Sequence, residues 1–174
     1  MEIAQIYKKL ADHFPGAKLE LVEGAKLPVS GVLAGDPCIA LPAESLVEIC
    51  QTLQVMELFH FDCLSDLTAV DRPTEKRFEV VYHLFSYKHR HSVALKVYLT
   101  REDSAHLPSV EAIWHCANWY EREIFDLFGI RFDNHSDLRR IMLPDDWVGY
   151  PLRKDYKEAE DYHGITTTRP PLIQ

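Results

Sequence analysis

Apolar positions recur first at helical and then at strand spacing along the chain. Ile3, Ile6, Tyr7 and Leu10 fall on one side of a short amphipathic helix, which Phe14-Pro15-Gly16 ends. Leu19 to Val22 and Cys38 to Leu41 have the character of short strands, separated by a loop carrying Pro28, Gly31, Gly35 and Pro37. After Pro42, Leu46, Ile49, Cys50 and Leu53 share a face of a second helix that runs to near Met56. From Leu58 to Val70 the period shortens: Phe59, Phe61 and Cys63 alternate with His60 and Asp62, which predicts a strand covered on one face. Asp71-Arg72-Pro73-Thr74-Glu75 breaks it. Phe78 to Phe85 and Val93 to Leu99 then form a hairpin around the polar turn Tyr87 to Ser92, with Val93, Leu95, Val97 and Leu99 directed to the core.

A long helix follows. Ser109 is a candidate N-terminal cap, Val110, Ile113, Trp114, Ala117, Tyr120, Ile124, Leu127 and Phe128 form one stripe, and Gly129 closes it. From Ile130 to Gln174 periodicity fades and Pro144, Gly149, Pro151, Gly164, Pro170 and Pro171 interrupt. The pattern predicts an α+β fold, a mixed β-sheet with a central hairpin packed by helices, followed by an extended C-terminal tail. The division falls between an α+β domain at 1–129 and a partner-binding tail at 130–174, because a structureless stretch of that length is better explained by lying along another protein.

Composition narrows the function. With 174 residues, 47% of them hydrophobic, the chain suits one domain with a substantial core. A formal net charge of −8 disfavours nucleic acid as the main partner. No apolar run is long enough to span a membrane, and Met1-Glu2-Ile3-Ala4-Gln5 lacks the basic end and apolar block of a secretory signal, so membrane association is expected only through a partner. Cys38, Cys50, Cys63 and Cys116 include no Cys-x-x-Cys pair, and their apolar neighbours suggest reduced, buried thiols rather than cluster ligands.

The densest chemistry lies between Glu121 and Tyr156, where six Lys/Arg and eight Asp/Glu are interleaved with large apolar residues. On a helical wheel Glu121 stands at the edge of the apolar stripe, a semi-buried carboxylate in need of a cationic or hydrogen-bonding partner. His115, Trp119, Arg122 and Asp126 share the opposite, outward face, and an outward Trp beside Arg suits the centre of a protein interface. Removing Arg122 or Arg140 is then expected to impair assembly more than folding. His135 is placed to fix the Asp133 to Leu138 turn. Asp145 and Asp146 read as caps or as ion-pair partners of Arg139 and Arg140 rather than a Mg²⁺ site, and His89-x-His91 as solvated turn histidines rather than metal ligands. No dinucleotide fingerprint, phosphate-binding loop, nucleophile elbow or zincin motif is present.

Glu-Arg-Glu-x-x-Asp-Leu-Phe-Gly-Ile-x-Phe at 121–132, His135, Asp137 to Met142 and Pro151-Leu152-Arg153-Lys154-Asp155-Tyr156 resemble the C-subunit family of bacterial NADH-quinone oxidoreductase, respiratory complex I. Leu64 to Asp71, Phe78 to Leu84, and Ser109, Trp114 and Ala117 to Tyr120 extend the resemblance over roughly residues 58–156, a coverage that makes it specific. Ser136 and Lys157 stand where the family pattern usually has proline. The resemblance implies a place in the hydrophilic arm, packed against homologues of the complex I D and B subunits at the cytoplasmic face of the bacterial inner membrane. It implies no catalytic residue, metal or cofactor in this chain. FMN, iron-sulfur clusters and quinone would lie in the assembled complex. The expected partner interface comprises Trp119, Glu121, Arg122, Glu123, Asp126, His135, Arg139, Arg140, Arg153, Lys154 and Asp155. The equivalent subunit of a membrane-bound hydrogenase or formate hydrogenlyase is the closest alternative, and an independent metal-dependent enzyme the more distant one.

Overall fold

A computed structural model describes residues 1–26, 33–34 and 36–167. Pro28, Gly31 and Gly35 of the expected loop, and residues 168–174 of the tail, lie outside the described residues. Helix α1 (Ile3–His13) leads into strand β1 (Glu20–Val22), and β2 (Ala25–Lys26) pairs with β3 (Leu33–Ala34). Strand β4 (Cys38–Ala40) and a single 3-10 turn precede α2 (Leu46–Val55). Three long strands follow, β5 (Cys63–Arg72), β6 (Arg77–Ser86) and β7 (His91–Thr100). Then come β8 (His106–Pro108), α3 (Ala117–Phe128), β9 (Arg131–Asp133) and the small hairpin β10 (Asp161–Tyr162) and β11 (Ile165–Thr166).

The main sheet is mixed, in the order β1-β4-β7-β6-β5, with only β4 and β7 parallel. Its register follows from side-chain alternation, because a one-residue slip would move each buried side chain to the other face. Thus Val80 faces Val97, Tyr82 faces Leu95 and Leu84 faces Val93, all six buried in one core. Ile6 and Leu10 of α1 and Leu46, Ile49, Cys50 and Leu53 of α2 pack into the same cluster. Each fully buried Leu or Ile contributes about 1.5–3 kcal/mol, so packing rather than helix propensity fixes these short helices. On the other face of β6, Glu79 is buried and meets Arg77 at 2.9 Å, Lys96 at 3.3 Å and Arg72 at 3.6 Å. Burial would raise the Glu79 pKa, but Lys96 and Arg77 outweigh it and hold the carboxyl below its usual range.

Three sequence expectations are redrawn. The strand expected from Leu58 begins at Cys63, because the chain first turns back under α2: the N–H groups of Phe59 and His60 donate to the Met56 carbonyl and that of Phe61 to Leu53. Phe59 and Phe61 are buried nonetheless, so the alternation marked packing rather than pairing. Likewise, α3 starts at Ala117 and not after Ser109, since residues 110–116 form separate tight turns and the Val110 N–H is taken by the Glu121 carboxylate. Finally, Gly129 is no boundary of packing. Ile130 and Phe132 belong to the core, and β9 runs parallel to β8 with Leu107 opposite Phe132.

Gly129 ends α3 in a left-handed conformation, φ 76°, and a Cβ there would lie 2.5 Å from the Tyr150 ring and 2.8 Å from Arg153 Nη2. Gly129→Ala should therefore lower stability by about 2 kcal/mol in urea unfolding, combining strain with displacement of the following segment. Gly16 has open space around it, and Gly16→Ala should leave the midpoint unchanged or slightly raised. Equal midpoints for both variants would contradict this reading.

Candidate functional site

The charged stretch after Glu121 folds back over α3 and the edge of the sheet, and two buried carboxylates hold it there. Asp126 is fully buried. Its Oδ2 accepts from the backbone N–H groups of Ile141 (3.1 Å), Met142 (2.7 Å) and Leu143 (3.0 Å), and its Oδ1 from Arg140 Nη1 at 2.7 Å. Burial alone would raise its pKa, but these donors outweigh it and keep the carboxyl below its usual range. Arg140 carries the connection onward. Its Nη2 donates to the carbonyls of Trp147 and Gly149, both at 3.2 Å.

Asp71, at the end of β5, is the second anchor. Arg101 binds it in a fork, Nε at 2.6 Å and Nη2 at 3.0 Å, and the backbone N–H of Lys154 donates to it at 2.8 Å. These bonds and the Arg101 charge overcome burial and lower the Asp71 pKa. The same Nη2 of Arg101 reaches Asp155 at 2.5 Å. Beside it Arg153 donates from Nε to the Phe128 carbonyl at 2.7 Å, pairs with Asp103 through Nη1 and lies against the Tyr150 ring. Residues 139–155 are thus fastened at both ends to the body of the domain.

Between them lies a third buried group. Glu121 accepts from Ser109 Oγ at 2.5 Å and from the Val110 N–H at 2.8 Å, with His135 Nε2 at 3.9 Å. Burial pushes its pKa up to about 7, against the lowering by those two donors. His135, whose ring is enclosed, pairs Nε2 with the Asn118 carbonyl at 3.1 Å and accepts at Nδ1 from the Asp137 N–H at 3.0 Å. With Nδ1 accepting from that backbone N–H, Nε2 is the ring nitrogen left to donate to the Asn118 carbonyl. Glu111 accepts from the Ser136 N–H and from Asn118 Nδ2, both at 2.7 Å. The turn after β9 is therefore tied to the start of α3.

The "Respiratory-chain NADH dehydrogenase, 30 Kd subunit" family model matches residues 39–162, which include all three anchors. The chain belongs to this family. Among its relatives, the C subunit of NADH-quinone oxidoreductase from Chlorobium phaeobacteroides is 50% identical over 60% of this chain, and the chain spans 63% of that relative's length. The C subunit from Geobacter sulfurreducens is 41% identical, covering 75% of this chain and 82% of its own. That of Citrifermentans bemidjiense is 37% identical, covering 90% and 92%. Among solved structures, a chain in the membrane-bound sulfane sulfur reductase, an archaeal respiratory membrane complex, shares the fold with a TM-score of 0.70 and 26% identity over 88% of this chain and 85% of that one.

Within this family frame, the residues expected at a partner surface divide. Trp119 is 62% exposed, with the Arg122 guanidinium stacked on its ring 5.0 Å from the centroid. Glu123 is half-buried, whereas Arg139, Lys154 and Asp155 are exposed. Glu121, Arg122, Asp126 and the ring of His135 are buried, and the side chains of Arg140 and Arg153 nearly so. Arg122 and Asp126 do leave the apolar stripe of α3, as the wheel requires, but residues 139–143 of the same chain cover them: Arg122 Nε donates to the Arg139 carbonyl at 3.3 Å. Asp146 pairs with His163 at 2.7 Å and accepts from Tyr162, while Arg139 pairs with Asp137, so the expected pairing of these arginines with the Asp145-Asp146 dipeptide is replaced. His89 and His91 bond to the carbonyls of Glu57 and Phe59 through Nε2. Cys38 and Cys50 are buried as expected, Cys63 is half-buried, and Cys116 is exposed beside the first turn of α3. Arg101 and Glu111 emerge as anchors that spacing did not single out, and Asp71, Ser109 and Asn118 prove to be anchors rather than a strand break, a helix cap or a motif position alone. Their partners are up to 83 residues away in sequence.

Two outcomes are expected. Asp126→Asn weakens the acceptor of four bonds and leaves Arg140 without its counter-charge, so stability should fall by about 3 kcal/mol or more, with faster hydrogen exchange at residues 141–143. Unaltered exchange there would remove Asp126 from its anchoring role. Glu121 binds its proton with a pKa of about 7 when folded but ~4.3 when unfolded, so its contribution is complete below ~4.3 and lost as pH rises through 7, by about 4 kcal/mol in all. Glu121→Gln cannot ionise; its amide oxygen accepts from the Val110 N–H and its amide nitrogen meets the Ser109 hydroxyl oxygen, so the variant should match wild type at pH 4 but exceed its stability at pH 8. Parallel pH-stability curves for the two proteins would refute this.

Proposed function

We propose that this chain is a non-catalytic, positional subunit in the hydrophilic arm of proton-translocating NADH-quinone oxidoreductase. It holds the homologues of the D and B subunits so that redox centres borne by other subunits keep their spacing. Electrons would pass from NADH through FMN and iron-sulfur clusters in those subunits to quinone, at the cytoplasmic face of the inner membrane. Among the described residues no three His, Cys, Asp or Glu side chains converge on a metal site, and no helix is long and apolar enough to cross a membrane.

The observation that carries the reading is how the motif spends its charges. Asp126, Arg140, Arg153 and Glu121 are consumed by contacts inside the chain, so they fix the shape of a platform instead of reacting with a substrate. What the platform presents outward is apolar: Trp119, Met142 at 64% exposure, Val148 at 85% and Leu152 at 48%. Exposed side chains of this size along one segment suit a protein partner. In this reading the exposed Arg139, Lys154 and Asp155, with Glu123, form the polar rim around that apolar set.

The likeness to a chain of the archaeal sulfane sulfur reductase complex, a respiratory membrane complex of another kind, leaves one second reading, an equivalent positional subunit of a membrane-bound hydrogenase or formate hydrogenlyase. Deleting the gene separates the two. Loss of NADH-driven quinone reduction in membranes supports the first, whereas intact NADH oxidation with loss of a hydrogen- or formate-dependent activity supports the second. For the surface itself, Trp119→Ala should leave the melting temperature of the isolated chain nearly unchanged but reduce co-purification of the intact complex from native membranes by tenfold or more. Full recovery of the complex would count against Trp119 as a contact.

A further inference from the structure

The segment after α3 also builds a cavity that neither the sheet nor the anchors require. Trp147, Tyr156 and Tyr162 wall a space of about 120 Å³, with Asp146, Glu158 and Asp161 also lining it. That is well below the roughly 300–1,000 Å³ of sites that take a cofactor or drug-sized molecule, and suits a single side chain. Its walls are fixed. The rings of Trp147 and Tyr162 lie 5.3 Å apart at 46°, and the Tyr162 hydroxyl donates to Asp146 Oδ1 at 2.9 Å. Tyr156 packs so closely on Gly149 that a Cβ there would come within 2.9 Å of its ring. The Trp147 and Gly149 carbonyls are both held by Arg140, so the cavity hangs on the Asp126–Arg140 pair.

Charge selects what fits. Segments 145–148 and 156–162, which supply most of the walls, carry Asp145, Asp146, Glu158, Glu160 and Asp161 against the single cation Lys157. Aromatic faces attract cations, and long basic side chains bury their methylene stems while keeping the charged head at a polar edge. We propose that this cavity receives a lysine or arginine side chain from a neighbouring protein subunit, its stem against the three rings and its head against Glu158 and Asp161. The inference rests on the docking role proposed above and names its chemistry. Anionic lipid headgroups and nucleic acid are repelled by the same carboxylates.

Two measurements on the full chain test it. In NMR titrations with N-acetyl-lysine methylamide and with N-acetyl-norleucine methylamide, which has a similar stem but no charge, only the lysine compound should shift the Trp147 indole resonance. The combined Glu158→Gln and Asp161→Asn substitutions should weaken that response at least fivefold. Equal responses to both compounds, or none, overturn the proposal. In native membranes, a photo-cross-linking residue at position 159 should join a partner segment beside a lysine or arginine. Cross-links only to apolar or acidic partner segments, to a second copy or within this chain, or none in an intact complex, also overturn it. Failure of any partner to co-purify would instead strike the docking role, while the titration would still read the cavity.

Discussion

A carboxylate without water governs the C-terminal third of this protein. Asp126 sits in the interior with four donors around it, three of them consecutive backbone amides and the fourth the Arg140 guanidinium. An isolated buried charge would cost several kcal/mol, so the arrangement persists only while every donor stays in place. That condition gives an irregular segment a single conformation without helix or sheet. Arg140 then passes the constraint to Trp147 and Gly149, and Asp71 with Arg101 repeats the device at Lys154. Hydrogen bonds to charge replace the apolar core that residues 139–155 lack.

The sheet and its two N-terminal helices were legible because their information is local. Alternation in Val93, Leu95 and Val97, and helical recurrence in Leu46, Ile49, Cys50 and Leu53, each name a buried face without reference to distant residues. Failures occurred where one face met an unforeseen partner. Phe59 and Phe61 alternate as a strand would, yet serve a turn beneath α2; Val110 continues the helical stripe, yet its amide is claimed by Glu121. A helical wheel can state that Arg122 and Asp126 leave the main stripe. It holds no record that residues 139–143 return to cover them, because that depends on contacts 14–17 residues away. The motif identified the family more readily than it disclosed which of its charges remain outside.

This distribution separates the roles of the charged groups. Glu121, Asp126, Asp71, Arg101, Arg140 and Arg153 are structural, each occupied by partners within the chain. Trp119, Met142, Val148 and Leu152 stay open along the surface that those groups shape. In the proposed positional role, such a scaffold would be stiff where distances are set and apolar where a partner adheres. Glu121 stands apart, since burial gives it a different protonation behaviour from the two anchoring aspartates.

The bond from the Lys154 amide to Asp71 joins residues 83 positions apart, close to half the chain. During synthesis, β5 leaves the ribosome long before its counterpart exists. At about 5–20 residues per second, Asp71 would wait roughly 4–17 seconds for Lys154 with at most Arg101 to neutralise it, and Asp126 would wait roughly 1–3 seconds for Arg140. The domain therefore emerges with its sheet complete and its outer strap missing, and Arg122 and Asp126, which that strap covers, are briefly open to solvent. For such a chain the vulnerable interval is set by the length of translation left to run, and an early stop codon would extend it indefinitely.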